Sequence, residues 1–262
     1  MEINKIHCGD CLELMKEIED KSIDMILCDL PYGSTACKWD TIISLDKLWE
    51  QYKRIIKDNG AIVLNATNPF ATMLIQSNLE WFRYEWIWHK NMTSGFALAK
   101  KQPLRNHELI LVFYKKQPTY NPIKEQRDMS ESSRKRMNYD FTTIKGTNEH
   151  QGGLKKVQFI PEDKDLCYPK YVKRWKGINS HNRNHPTEKP LEMVEYLIKT
   201  YTNEGDLVLD NCIGSGTTAI ACKQLNRDFI GMEKEQKYVD IANERLSQCV
   251  ELAKNEGDED GK

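Results

Sequence analysis

Residues 206–234 read DLVLDNCIGSGTTAIACKQLNRDFIGMEK, and this stretch decides the fold class. The apolar run Leu207–Leu209 predicts a strand that closes on an acid, Asp210. Gly214-Ser215-Gly216-Thr217-Thr218-Ala219 satisfies the glycine-rich turn pattern G-x-G-x-x-G/A. A helix is expected over Thr217–Leu225 and a second strand over Phe229–Met232, with Glu233 standing 19 residues after Gly214. Strand, tight turn, helix and strand form the βαβ unit from which parallel α/β sheets are built.

Outward from this unit, short apolar runs alternate with amphipathic stretches, as covering helices and buried strands require. Ile3–Cys8 predicts a strand and Leu12–Ile18 a helix. Ile23–Cys28 predicts a strand and Leu45–Lys57 a helix with apolar residues at helical spacing. Asn59-Gly60 is expected to stop that helix before a strand at Ala61–Leu64. A helix near Ala71–Leu79, strands at Glu85–Trp88 and Leu109–Tyr114, and helices at Leu191–Thr202 and Gln236–Gln248 complete the pattern. The final residues, NEGDEDGK, read as an acidic disordered tail.

From Lys115 to about residue 184 the chain is polar and aperiodic, too long for a simple loop in a compact domain. Charge is uneven: residues 1–60 hold 12 acids and 8 bases, whereas residues 90–136 hold 11 bases and 4 acids, and residues 164–190 hold 7 bases and 2 acids. The basic middle carries Tyr114, Tyr120, Tyr139, Tyr168, Tyr171 and Trp175. Basic residues interleaved with aromatics suit a polyanion whose bases can stack.

No apolar stretch approaches the roughly 18 residues of a membrane span, and MEINKIHCGD lacks the apolar core of a signal peptide. The eight cysteines are scattered through a chain too large for a disulfide framework. Cys8-x-x-Cys11 has no second pair to complete a zinc site. A cytoplasmic protein with buried thiols, no metal and no membrane partner is expected.

A glycine turn at a helix N-terminus offers free N–H groups and a positive dipole end to an anion, and an acid after the second strand suits ribose hydroxyls. A dinucleotide is the first reading, and an NAD-dependent oxidoreductase the function it would carry. Asp210 opposes it, because a carboxylate before the loop would face a pyrophosphate with like charge. Asn211-Cys212-Ile213 also lengthens the turn. S-adenosylmethionine (SAM) answers both features, bearing cationic ammonium and sulfonium groups, a ribose, and a carboxylate for the helix.

A second stretch, DMILCDLPYGSTACKWD at 24–40, ends its strand on Asp29-Leu30-Pro31-Tyr32. In doubly wound sheets ligands bind beyond the carboxyl ends of the strands. A carboxylate beside a backbone carbonyl offers two acceptors to an exocyclic amino group, and the tyrosine ring a surface for the base that bears it. Accepting both N–H bonds favours the pyramidal nitrogen whose lone pair can attack a methyl group.

These residues resemble the DNA amino-methyltransferase family. Asp29-Leu30-Pro31-Tyr32 resembles its Asp-Pro-Pro-Tyr motif, and Asp210 through Thr218 its Asp-Pro-Phe-x-Gly-Ser-Gly-Thr-Thr motif. His185-Pro186-Thr187-Glu188-Lys189-Pro190 resembles its His-Pro-Thr-Gln/Glu-Lys-Pro segment. Catalytic motif first and SAM motif last match the circularly permuted β-type order. The resemblance implies a Rossmann-like, doubly wound, mostly parallel seven-stranded SAM-dependent sheet. Residues 1–114 would form its catalytic half, 115–184 a partly ordered target-recognition insertion, 185–250 the SAM-binding half, and 251–262 the tail.

It further implies that Asp29, Leu30, Pro31 and Tyr32 are catalytic, and that Glu233 binds the ribose and Asp10 the adenine amino group of SAM. Asp210, Gly214, Ser215, Gly216, Thr217 and Thr218 would hold the rest of SAM, with Thr187 and Lys189 near its methionine end. Leu30 departs from the family proline and lacks its fixed φ; Asn211-Cys212 replaces Pro-Phe. Asp at the first motif position mostly marks adenine N6, where Ser mostly marks cytosine N4. The expected function is N6 methylation of an adenine flipped out of double-stranded DNA, with cytosine-N4 methylation as the alternative and a DNA-binding protein without catalysis as a further one. Trp88 and Lys90 are expected to border the base pocket, and Lys173, Arg174 and Lys176 to contact DNA. A cognate restriction endonuclease and a homodimer are the further partners such a family allows.

Overall fold

The computed structural model describes residues 1–33, 41–127, 166–177 and 188–259, with side chains as far as Cys249. The first half contains β1 (Lys5–Cys8), α1 (Cys11–Leu14), β2 (Ile23–Cys28), α2 (Leu45–Ile55), β3 (Ile56–Ala66), α3 (Phe70–Ser77), β4 (Phe82–Ser94) and β5 (Arg105–Phe113). Three short strands follow, β6 (Glu125–Gln126), β7 (Leu166–Cys167) and β8 (Val172–Arg174). The last part is α4 (Leu191–Tyr201), β9 (Leu207–Asp210), α5 (Thr217–Gln224), β10 (Asp228–Glu233) and α6 (Gln236–Glu259).

Contacts divide the chain into two units, one of Met1–Asn121 with Tyr171–Lys262 and one of Pro122–Lys170. In the smaller, β6 pairs antiparallel with β7, and Arg127 donates to the Leu166 carbonyl at 2.6 Å.

The larger unit is built on one sheet in the order β1-β10-β9-β2-β3-β5-β4-β8. Neighbours from β1 through β3 are parallel, and β5 runs antiparallel to both β3 and β4. The mostly parallel α/β class expected from the βαβ unit is therefore the class observed. Eight strands replace the expected seven, because β8 joins β4 in parallel with Val172 opposite Ile87. Residues 172–174 thus belong to the core sheet rather than to an insertion running to 184. Alternation buries Lys173 and Trp175 while leaving Val172 and Arg174 exposed, a period of two that the basic composition conceals.

Period-two alternation also builds the two cores. Ile26 and Cys28 of β2, Ile62 and Leu64 of β3, and Leu111 and Phe113 of β5 face one cluster with Leu48, Trp49 and Tyr52 of α2. Met25, Leu27, Val63, Ile110 and Val112 face the other, with Met193 and Leu197 of α4 and Ala219 of α5. Both faces of the sheet are covered, as a parallel sheet requires.

Two boundaries differ from the sequence expectation. Asn59-Gly60 does not separate helix from strand: α2 passes directly into β3 at Ile56, and Lys57–Gly60 bulges where the register jumps between Ile23 and Met25. A Cβ on Gly60 would lie 2.8 Å from the Asp24 carbonyl oxygen, so glycine serves close backbone approach rather than termination. The acidic tail is not irregular from 251; α6 continues through Glu259.

β9 and β2 are neighbours, with Ile26 opposite Leu209, and the chain leaves them in opposite directions, to β10 through α5 and to β3 through α2. That reversal of strand order opens a crevice beyond their carboxyl ends.

Candidate active site

The two motif stretches meet in that crevice. Asp210 ends β9 and Asp29 follows β2, so both turns project from adjacent strands into one cleft of about 270 Å³. Asp10, Leu30, Pro31, Lys189, Gly214 and Glu233 also line it.

The glycine loop is shaped by its own side chains. Asp210 accepts from the Thr218 hydroxyl at 2.6 Å and from the Cys212 N–H at 3.1 Å. Burial pushes its carboxyl up to about 7, against the pull of those two bonds. Gly214 and Gly216 hold φ of 53° and 84°, and a Cβ on Gly216 would meet that of Ala242 at 2.8 Å. Glycine at 216 therefore allows both the left-handed turn and the approach of α6. The first N–H groups of α5 have no intrahelical partner, and no side chain caps them at Gly216.

Glu233 accepts from the Gly214 N–H and the Glu235 N–H, each at 3.0 Å, and burial raises its carboxyl despite those bonds. Asp10 caps α1 by accepting from the Leu12 N–H at 2.9 Å. Asn211, where the family motif has proline, accepts from the buried Tyr52 hydroxyl at 2.6 Å, which ties the loop to α2. Burial raises the neighbouring Cys28 thiol to about 12. Cys11 and Cys212 are raised as well: their mutual hydrogen bond leads for Cys11, while at Cys212 contact with Cys28 and burial outweigh that bond. These thiols stay protonated.

At the second turn, Tyr32 donates to Asp29 Oδ1 at 2.6 Å, and its ring stacks on Phe70 with centroids 5.2 Å apart. Burial, then the Asp29 charge, hold the phenol well above its ordinary range. The Leu30 side chain is buried in the core of α2 and α3. Packing thus fixes a turn that lacks the family proline.

Lys189 lines the cleft shared by the two turns. Its ammonium donates to Asp29 Oδ2 and lies 3.7 Å from Glu108 Oε2. The two carboxylates outweigh burial and hold Lys189 above its usual range. Glu188, next to it, pairs with Arg245 at 2.7 Å, and Arg245 also donates to the Ser215 carbonyl at 2.6 Å and hydroxyl at 2.9 Å. Thr217 Oγ1 lies 3.5 Å from both Glu188 and Arg245. Thr187 lies outside the described residues.

Trp88 is buried in the core and donates to the Trp175 carbonyl at 3.0 Å. Lys90 bonds Glu108 and lies over the Trp88 ring. Lys173 is buried, 4.8 Å from the Tyr196 ring centroid, whereas Arg174 and Lys176 are exposed. Sequence reasoning did not reach Glu108, Asn65 or Arg245. An acid preceding the apolar run Leu109–Phe113 was the available signal for Glu108; nothing in the helical pattern of α6 distinguishes Arg245.

The model of the N6/N4 methyltransferase family, described as DNA methylase, matches residues 23–244. The chain belongs to the N6/N4 DNA methylase family. Type II methyltransferase M1.MboII of Moraxella bovis is 32% identical over 272 residues, covering 95% of this chain and 98% of that protein. M.HpaI of Haemophilus parainfluenzae is 26% identical, covering 92% and 74%. Among solved structures, the M1.HpyAVI–SAM complex is 23% identical with a TM-score of 0.62, covering 92% of this methylase and 98% of that chain. The PvuII cytosine-N4-specific methyltransferase is 14% identical with a TM-score of 0.64, covering 93% and 90%. Among the methylase's described residues, no helix is long and apolar enough to cross a membrane.

Proposed function

We propose that this DNA methylase transfers a methyl group from SAM to N6 of an adenine flipped out of double-stranded DNA. The carrying observation is the convergence of Asp29-Leu30-Pro31-Tyr32 and the Asp210–Thr218 loop on one cleft.

The residues present suit SAM. Asp210 is buried with only neutral hydrogen-bond donors, a setting that favours a cationic ligand. The Asn65 side-chain amide oxygen is buried on the cleft wall with no partner among the described residues, leaving an acceptor for a polar ligand group. Uncapped α5 supplies N–H groups for a carboxylate. Glu233 and Asp10 remain available to the nucleoside end. Bound SAM supplies the methyl group.

Asp29 and the Leu30 carbonyl accept the two N–H bonds of the target amino group and direct its lone pair into the cleft. The Tyr32 ring, backed by Phe70, stacks against the base and excludes water. One proton leaves the nitrogen after attack and passes by way of Asp29 to solvent. Asp at position 29, where the family's cytosine-N4 members mostly carry Ser, favours adenine. The fold itself is shared with the cytosine-N4 enzyme PvuII.

The test is label transfer from methyl-labelled SAM to unmethylated genomic DNA, followed by digestion to nucleosides. Label in N6-methyladenine, abolished by Asp29→Ala, is the expected result. Label in N4-methylcytosine would keep the reaction and overturn the base assignment.

A further inference from the structure

Both oxygens of the candidate catalytic carboxylate already have a partner before any base arrives. Asp29 Oδ1 accepts from Tyr32 and Oδ2 from Lys189. The ammonium holds Oδ2 by a charge-assisted bond, stronger than any a neutral amino group would make there. Release of the ammonium would turn Oδ2 wholly toward the entering amino group.

Lys189 has somewhere to go. Glu108 stands on β5 beside it, and its Oε1 is anchored by Lys90, which in turn rests on the Trp88 ring. Its Oε2 is buried and has no hydrogen-bond partner among the described residues, yet it lies only 3.7 Å from the Lys189 ammonium. A shift of about 1 Å would bring that pair to ordinary charge-assisted hydrogen-bond distance. Such an unsatisfied buried carboxylate oxygen is a costly feature that a folded protein rarely keeps without use.

We propose that Lys189 shuttles from Asp29 to Glu108 as the target amino group enters, which makes Glu108 a positioning residue for methyl transfer. Two carboxylates and two ammonium groups are present before and after the move. No net charge is created in the cleft, so the hand-off avoids the penalty of exposing a lone buried ion. Asp29 Oδ2 then accepts from the amino group, while Tyr32 keeps the carboxylate oriented through Oδ1. The inference rests on the role given to Asp29 under the proposed function.

The experiment compares wild type, Glu108→Gln, Glu108→Asp, Lys189→Met and the Glu108→Gln/Lys189→Met double variant. It measures kcat, KM for DNA and calorimetric SAM affinity. Once sequencing of methylated DNA has given the site, binding is compared for duplexes carrying adenine or purine at the target position. Glu108→Gln should lower kcat at least tenfold, leave KM for DNA and the SAM dissociation constant within threefold, and erase the preference for adenine over purine. Glu108→Asp, retaining the charge, should recover part of kcat. In the Lys189→Met background the Glu108→Gln change should alter kcat less than twofold, since no ammonium remains to relocate. Wild-type kcat and adenine preference in Glu108→Gln would overturn the shuttle, as would an equal loss with and without Lys189. Should Glu108→Gln fail to fold, Glu108→Asp decides: an unchanged kcat in the purified, folded protein would overturn the shuttle, and a lowered one with unchanged SAM affinity would support it. Absence of label transfer by wild type is a different failure, that of the proposed reaction.

Discussion

Asp210 shows how a single carboxylate ties the reading of the cleft to pH. Burial raises it to about 7, against about 3.9 in an unfolded chain. A raised folded-state value means that its contribution to stability is present below about pH 4 and is lost as pH rises through 7. The ligand-free protein should therefore be less stable at pH 8 than at pH 5 by an amount bounded by about 3 kcal/mol, the part of the shift that lies between pH 5 and pH 7. Asp210→Asn should flatten that dependence in urea titrations at the two pH values. A cationic ligand requires the ionised form, so SAM affinity should fall up to about tenfold per unit below pH 7, with uptake of a proton on release. Calorimetry in buffers of different ionisation enthalpy measures both effects, and an affinity that does not vary between pH 6 and 8 would remove Asp210 from ligand binding. Asp29 and Asp210 were legible in the sequence because each closes an apolar run, and a strand end is where a doubly wound sheet places its ligands. The pairing of Lys189 with Asp29 was not legible because 160 residues separate the two, and only the fold brings them together.

The glycine loop is braced from a helix rather than only by its own bonds. The Tyr52 hydroxyl of α2 donates to Asn211 inside the protein. Tyr52→Phe leaves the Asn211 oxygen buried without that donor and should cost about 1–3 kcal/mol of stability. SAM affinity should weaken with it, while Asp29 geometry is untouched; urea titration and calorimetry separate the two effects. The bulge in β3 supplies a second test. A Cβ at Gly60 meets both the Ile56 side chain at 2.7 Å and the Asp24 carbonyl at 2.8 Å, so Gly60→Ala should destabilise by about 1–3 kcal/mol. An unchanged urea midpoint would show that β2 and β3 can separate there at no cost. The periodicities that predicted the helices and strands were sound in kind. They failed at edges, where tertiary pairing overrides local preference: β3 starts at Ile56 rather than Ala61, and β4 and β5 extend to Ser94 and Arg105. Pairing with a partner strand, rather than residue type, keeps polar residues such as His89 and Ser94 in β4.

At the scale of the molecule, the order of motifs along the chain foretold the α/β architecture, whereas the distribution of charge gave only part of the surface. Composition cannot say which bases of a basic segment face outward. Lys173, Arg174 and Lys176 all belong to the segment expected to contact DNA, yet alternation along β8 buries Lys173 and exposes the other two. Lys173 lies over the Tyr196 and Trp86 rings, at 4.8 and 5.9 Å, where it serves the packing of α4 on the sheet. Neutralising the three therefore should not act uniformly. Each phosphate contact contributes about 0.9 to the slope of log affinity against log salt for duplex DNA. If both exposed residues meet phosphates, Arg174→Gln with Lys176→Gln should weaken binding and reduce that slope by about 2. Lys173→Gln should instead lower the urea midpoint and leave the slope unchanged. Binding titrations at several salt concentrations distinguish the cases: a slope unaltered in the double variant would place the DNA elsewhere on the methylase, and a slope reduced by Lys173→Gln would mean that β8 leaves the sheet edge to bind.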